Sequence, residues 1–413
     1  MADPCNHLDH DPGNRADSWR VPGRATRAVV DLDAIAGNLR QFRSAVSGSA
    51  QLMAVVKANA YGHGAVMTAR AALRAGADHL AVATVDEGLA LRHAQINAPV
   101  LVLGPIDPSE AARAVRGGLT VAVGDAETVH ALAAAAPASP SGLASVHLKV
   151  DTGMRRFGAT PTDAVGLARF IASLPALRLA GTFTHFARAD ETDETPTLQQ
   201  ASLFDETVNA IRRTGVDPGL IHVANSAAAL RSRRYDYDLV RIGIALYGLP
   251  PSAEVGLWPG MRPALSLRSR IRRIIHLEPG DCVSYGGTYR AAQAETAALV
   301  PIGYADGYHR VLSNRAWMGV AGQPAPVRGR VCMDQTVIGL PPGIDTALGA
   351  EVIVVGDRAQ GAPTLPELAE LAGTICYELA TALPARVPRL YRQGGTIVAI
   401  EDSEGIRPVA ERS

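Results

Sequence analysis

Several polar residues in the sequence sit at or just beyond short apolar runs: Lys57 after AVV, Lys149 at the end of HLK, His185 in FTHF, the pair Asn225–Ser226 after HVA, and Arg241 in LVRIG. Taken singly, each has an ordinary explanation. A strand-end lysine reaches solvent, a lone histidine packs, and Asn-Ser caps a helix. Taken together on one sheet edge, they describe a chemistry. A lysine amine can join an aldehyde as a Schiff base. Ser226 opens the helical stretch SAAAL and Gly243 stands beside Arg241, so a helix N-terminus and an open glycine amide are available to hold a phosphate. A reactive lysine at an early strand and a phosphate cup at late strands are what pyridoxal phosphate (PLP) requires. A nucleotide phosphate loop is a poorer reading of AVVKANAYGHGA (Ala54–Ala65), because Lys57 follows Val56 and precedes Ala58 rather than standing between Gly and Ser or Thr.

The elements that must position these residues alternate in type. Apolar, β-branched runs (LMAVVKA, HLAVAT, PVLVLG, LTVAVG, SVHLKVD, LAGTFTHF, LIHVAN, LVRIGIALYG) are separated by helical patterns such as VMTARAALRAG and DAVGLARFIASL. Ala65, Ala69, Ala72 and Leu73 recur at helical spacing. Continuous apolar runs suit parallel strands buried on both faces. Eight of them between Leu52 and Tyr247 match the repeat number of a (β/α)8 TIM-type barrel, whose active site lies at the C-terminal strand ends. An open doubly wound sheet would carry a glycine fingerprint after its first strand, and none is present. RAVVDLD, within 26–33, is a ninth strand, surplus to the barrel and available to a second domain. After Pro259 the texture changes to short β-type runs divided by turns such as EPGD and PPG, with one helical stretch near TLPELAELAGTICYELATAL. The expected organisation is a disordered polar tail over 1–25, the barrel over 26–258, a mainly β C-terminal domain over 259–400 and a tail over 401–413.

Composition removes several other classes. The 413 residues are 47% hydrophobic and 19% charged, with 40 basic residues against 40 acidic. That balance gives no overall field for nucleic acid or an anionic membrane. No apolar run is long enough for a membrane span, and the N-terminal stretch lacks the apolar core of a secretory signal. Cys5, Cys282, Cys332 and Cys376 are scattered, with no C-x-x-C pair for zinc. No metal is expected, and a reducing cytoplasm is the expected location.

AVVKANAYGHGA, LKVDTGMRRFG, FTHFARAD, HVANSAA, VRIGIALYG, VSYGGTY, PIGYADGY and RGRVCMDQ resemble, in order, the successive motifs of the alanine racemase family. The resemblance runs from about Ala28 to Arg389. It implies a PLP enzyme that interconverts L- and D-alanine, supplies D-alanine for peptidoglycan, and works as a homodimer with shared active sites. By the same resemblance Lys57 carries PLP and serves as one acid/base group. Tyr285, reaching the partner's site, is the other. Arg241 faces the pyridine nitrogen and His185 links it towards the tyrosine. Ser226, Gly243 and Ile244 hold the phosphate, with Asn225, Tyr61 and Tyr377 alongside. Arg156, Met333 and Asp334 attend the substrate carboxylate, and Tyr304 and Tyr377 narrow the entrance. Lys149 matches a position that is often N-carbamylated. The family usually reads GMGR where this chain has Met154, Arg155 and Arg156, so the arginine role passes to Arg156 by its spacing from Lys149. The alternatives are a broad-specificity or serine racemase with the same machinery, a decarboxylase of the same barrel type (for which Cys332 is the one residue that speaks), or a protein that binds PLP without turnover. The last has no need of a β domain carrying Tyr285 and Met333.

Overall fold

The computed structural model describes residues 22–139, 141–344 and 346–409. The polar segment 1–21 therefore lies outside the described residues. β1 (Arg27–Asp31) precedes a parallel sheet of eight strands: β2 (Gln51–Val55), β3 (His79–Val82), β4 (Val100–Val102), β5 (Thr120–Val123), β6 (Ala144–Lys149), β7 (Leu177–Phe183), β8 (Leu220–His222) and β9 (Leu239–Ile242). Their order, β8-β7-β6-β5-β4-β3-β2-β9, is that of a rolled sheet. The ring closes where the Asp238 N–H donates to Ile221 O at 3.0 Å and the Arg241 N–H to Ala224 O at 3.3 Å. Helices follow most of the strands, as parallel connections require.

Leu52, Met53 and Ala54 in β2 are fully buried, which is why the strand is an unbroken apolar run. Truncating Leu52 to Ala would cost about 2–5 kcal/mol. The helix Val85–His93 starts on a capping box in which Thr84 Oγ1 accepts from the Glu87 N–H and Glu87 Oε2 accepts from the Thr84 N–H, both at 3.3 Å. The barrel unit spans Ala34–Ala264 together with Thr374–Ala382. The WPGMRPA segment stays with it because Asn38 Oδ1 accepts from the Arg262 N–H at 2.9 Å and Trp258 Nε1 donates to Leu230 O at 3.0 Å.

The β unit holds the remaining strands: β10 (Leu265–Arg270), β11 (Arg273–Leu277), β12 (Cys282–Val283), β13 (Tyr289–Arg290), β14 (Glu295–Val300), β15 (Trp317–Val320), β16 (Gln323–Pro326), β17 (Thr336–Gly339), β18 (Glu351–Val355), β19 (Arg389–Gln393), β20 (Thr396–Asp402) and β21 (Gly405–Pro408). Its main sheet runs β16-β15-β18-β10-β1-β19-β20-β21, with smaller sheets β11-β14-β17 and β12-β13. β1 pairs antiparallel with β10 and parallel with β19.

Three details depart from the sequence reading. RSRIRRIIHL is two strands in two sheets, because the Ile271 N–H bonds to Ala350 O while the next amide, Arg272, bonds to Leu299 O. The single helical stretch is split at Gly373, whose left-handed backbone (φ +69°) caps Leu365–Ala372 before Cys376–Thr381 begins. The second of these helices belongs to the barrel unit. The tail expected from 401 is, up to 409, the end of a hairpin. β20 turns through Asp402, whose Oδ1 accepts from the Glu404 N–H, and β21 pairs back from Gly405 (φ +103°).

Candidate active site

Lys57 leaves β2 just beyond the buried Val55 and Val56. The chain then does something unusual. Ala58, Asn59, Ala60 and Tyr61 all take left-handed backbone, with φ of +51°, +51°, +54° and +52°. Each non-glycine residue there costs about 1–2 kcal/mol, so the turn needs support. Glu87 Oε1 accepts from the Ala58 N–H at 2.6 Å and Asn59 Oδ1 accepts from the Ala65 N–H at 2.7 Å. The Gly62 and Gly64 amides close onto Ala58 O and Asn59 O at 3.0 and 2.9 Å. Tyr61 and His63 pack on the ring of Tyr247 at 5.0 and 4.4 Å. Glycine is required at 62, where an added Cβ would lie 2.0 Å from Ala380 O.

This turn delivers Tyr61 to the late strands. A Cβ at Gly243 would meet the Tyr61 hydroxyl at 2.8 Å. Ser226 Oγ accepts from the Gly243 N–H at 2.8 Å, and Asn225 caps the helix Ser226–Arg231 by accepting from the Ala228 N–H. Lys57, Tyr61, Lys149, Arg156, His185, Asn225, Ser226, Arg241, Gly243, Ile244 and Tyr377 all line one cavity of about 780 Å³ in the barrel unit. Burial pushes the Tyr61 and Tyr377 phenols up, so both remain neutral hydroxyls.

The cavity is cationic. Burial, and then Arg156, lower the Lys57 ammonium, while Glu87 opposes them. Lys149 is brought down to about 8 by burial and by Arg156 and Arg241. These two are the only lysines in the chain. Lys149 Nζ lies 4.8 Å from the Phe157 ring centre. Arg156 is exposed at the cavity edge. Its neighbour Arg155 has φ +55°, with its N–H bonded to Asp151 Oδ1 at 3.0 Å. Left-handed backbone favours glycine, which gives the family's Gly at this place a physical reason.

Arg241 is buried, and burial lowers its pKa to about 9. Its Nη1 donates to His222 Nδ1 at 2.8 Å. Its Nη2 faces Thr184 O, Val223 O and His185 Nδ1 at 2.9, 2.9 and 3.2 Å. His222 Nε2 in turn lies 2.8 Å from His147 Nδ1. Burial holds His147 at about 3 and His185 and His222 well below the usual imidazole value, so all three are neutral. A Cβ at Gly181 would strike His147 at 2.7 Å, so the histidine pair depends on that glycine. Sequence reasoning missed His147, His222 and Glu87. The alternation H-x-K in VHLKVD and the spacing T-x-x-E in TVDEG carried the signals.

Tyr285, Tyr304, Met333 and Asp334 belong to the β unit and are not among the residues lining the cavity. The β unit gathers them along one edge. The Tyr304 N–H donates to Cys332 O and the Ala305 N–H to Met333 O, both at 3.0 Å. Ser284, which precedes Tyr285, donates through Oγ to Arg330 O at 2.7 Å. Tyr285 is 73% exposed and Met333 53%. Among the described residues no group of His, Cys, Asp or Glu is placed to hold a metal ion, and no helix is long and apolar enough to cross a membrane.

Fold and site together define a (β/α)8 barrel protein whose strand ends carry a lysine, a buried arginine and a glycine-floored cradle around one cavity. The alanine racemase N-terminal domain family matches residues 30–251 and the alanine racemase C-terminal domain family matches 264–391. The alanine racemase of Symbiobacterium thermophilum is 44% identical over 374 residues, 89% of this chain and 97% of that protein. The crystal structure of the Bacillus anthracis alanine racemase with bound L-Ala-P superposes with a TM-score of 0.87 at 39% identity, covering 92% of this chain and 99% of that one. The alanine racemase of the D-cycloserine producer Streptomyces lavendulae gives 0.84 at 38% identity, covering 91% and 98%. This chain belongs to the alanine racemase family, and is an isomerase of the amino-acid racemase class.

Proposed function

We propose that the protein interconverts L- and D-alanine with pyridoxal phosphate, using Lys57 of one subunit and Tyr285 of the partner subunit as two opposed acid/base groups. The observation that carries this reading is the cavity itself: a lysine with a lowered pKa, a glycine-floored cradle and a buried arginine share one barrel mouth. The residues fit the cofactor. Gly243, Ile244, Ser226 and the Tyr61 hydroxyl would hold its phosphate, in a cradle that a Cβ at Gly243 would fill. Asn225 and Tyr377 stand alongside. When bound, PLP supplies an electron sink that acidifies the α-proton of an amino acid.

The chain's own residues would do the rest. Arg241 stays cationic at neutral pH and only donates, so a pyridine nitrogen against it stays unprotonated. That limits the sink and favours return of the proton to the α-carbon. His185 accepts from Arg241 through Nδ1, which leaves Nε2–H to donate towards Tyr285 of the partner subunit. Inverting a stereocentre needs a proton taken from one face and given to the other. Lys57 Nζ, neutral at lower pH than a free lysine, serves one face and the Tyr285 hydroxyl the other. A Cβ at Gly286 would lie 3.3 Å from Arg330 Nη1, so a cation flanks the tyrosine's turn. Arg156 and the Met333 amide would donate to the substrate carboxylate, with Asp334 lining that side. Lys149 is the proposed carbamylation site. A carboxylate on its Nζ would orient Arg156 and relieve the crowding of cations.

A homodimer in the cytoplasm, supplying D-alanine for peptidoglycan, completes the proposal. Tyr304 and Tyr377 would crowd any side chain beyond a methyl or hydroxymethyl group. The test is to assay each L-amino acid for its D form. Alanine should dominate, and comparable turnover of lysine or arginine would move the assignment to a broad-specificity racemase.

A further inference from the structure

Asp306 is fully buried and closes the turn Tyr304–Asp306. Its Oδ1 accepts from Arg24 Nη1 at 2.6 Å and lies 2.9 Å from Arg386 Nε. Its Oδ2 accepts from Arg24 Nη2 at 2.9 Å and the Gly303 N–H at 3.1 Å. Arg386 continues outward, its Nη2 donating to Asp334 Oδ1 at 2.6 Å. Two arginines thus alternate with two carboxylates, and the last carboxylate stands beside Met333.

A half-exposed Arg–Asp pair is ordinarily weak, because both side chains are free to move. Here Arg386 Nε is held by a buried carboxylate, so the guanidinium is already oriented when its Nη2 meets Asp334. The backbone gives the same turn a second tie. The Tyr304 and Ala305 amides bond to Cys332 O and Met333 O, and a Cβ at Gly303 would sit 2.2 Å from Cys332 O. The Tyr304 turn and the Met333–Asp334 turn are therefore locked edge to edge, with Arg386 bridging them through their carboxylates.

We propose that Arg386, anchored on Asp306, is a positioning residue that sets the orientation of Asp334 and the Met333 turn for the substrate carboxylate. This rests on the proposed role of Asp334 in the racemase site. Lysine cannot replace it fully, since an ammonium does not offer two donors held apart in a rigid planar group, as Nε and Nη2 are.

The test is a double-mutant cycle of Arg386→Gln and Asp334→Asn in the holoenzyme, following KM and kcat for alanine and the visible absorption of the bound cofactor. Arg386→Gln should raise KM about 3- to 30-fold, within the range of coupled neighbours, with kcat and the absorption little changed. In the Asp334→Asn background it should add nothing, and the crystal structure of the Arg386→Gln single variant should show the Asp334 carboxylate displaced. Arg386→Lys should fall between the two. It replaces the glutamine variant in the cycle if that variant loses the cofactor absorption. An unchanged KM in Arg386→Gln, or a full effect in the Asp334→Asn background, overturns the inference and leaves the proposed function standing. Wild-type kinetics in Asp334→Asn alone would instead remove Asp334 from the site, and the inference would fall with that reading.

Discussion

Arg241 Nη1 donates to His222 Nδ1 at 2.8 Å, and this one bond sets the proton positions of two histidines. Because arginine only donates, His222 Nδ1 must be the acceptor and its proton must sit on Nε2. That proton then points at His147 Nδ1, 2.8 Å away, so His147 also carries its proton on Nε2. Nη2 divides its two N–H groups among Thr184 O, Val223 O and His185 Nδ1. The guanidinium is held on several sides before any ligand arrives.

Substituting His222→Leu removes the acceptor of a buried cation and the donor to a buried imidazole. The expected loss of stability is about 2–4 kcal/mol, read from the midpoint of denaturant unfolding. A loss below about 0.5 kcal/mol would mean that the chain of bonds carries no weight.

Arg155 takes a left-handed backbone whose strain is offset in part by its N–H bonding to the Asp151 carboxylate. Arg155→Gly should raise stability by up to about 1 kcal/mol, since the strain of a side chain at positive φ outweighs the extra freedom of glycine in the unfolded chain. Thermal unfolding checks it, and a lowered Tm would contradict the strain argument. Racemase activity should be unchanged, because the carboxylate role falls on Arg156.

Lys149 titrates near 8 in the folded protein against 10.5 as an ordinary lysine, because burial and then Arg156 and Arg241 disfavour its ammonium. The unfolded chain therefore binds more protons between these values. The Lys149 contribution to stability rises as pH goes from about 8 to about 10.5, with a slope of at most about 1.4 kcal/mol per pH unit. The check is denaturation of cofactor-free protein in carbonate-free buffer across that window. The rise should be reduced in Lys149→Met, and an identical pH dependence in the two proteins would refute it.

Lys57→Ala should abolish the visible absorption of bound cofactor. Tyr285→Phe should keep that absorption and lose racemisation by about two orders of magnitude or more, the usual worth of a positioned acid or base. Full activity in Tyr285→Phe would displace it as the second base.

Much of this was legible because barrel strands announce themselves. LMAVV, VHLK and LVRI are buried along their length, so they are mainly apolar, and the lysine or arginine in or just after each (Lys57, Lys149 and Arg241) lines the cavity. The left-handed turn over Ala58–Tyr61 was not legible, since alanine and tyrosine give no sign of positive φ and a single asparagine does not announce four such residues in a row. Its support comes from Glu87, nearly thirty residues on. His147 and His222 were hidden for a related reason: they lie on β6 and β8, either side of β7, and meet only where Gly181 leaves room between them. Gly373 was readable as a helix stop, yet local sequence does not say that the helix beyond it joins the barrel. Arg386 and Asp306 are an ordinary arginine and an ordinary turn aspartate until the β unit is folded.

The central claim is that Lys57 is the residue that carries the cofactor, and the composition makes its test unusually clean. The chain has only two lysines, Lys57 and Lys149, and both face the same cavity. Borohydride reduction of the PLP-loaded protein followed by peptide mapping should put the label on Lys57, in AVVKANAY, and leave Lys149 unlabelled. Label on Lys149, or on neither lysine, would contradict the account.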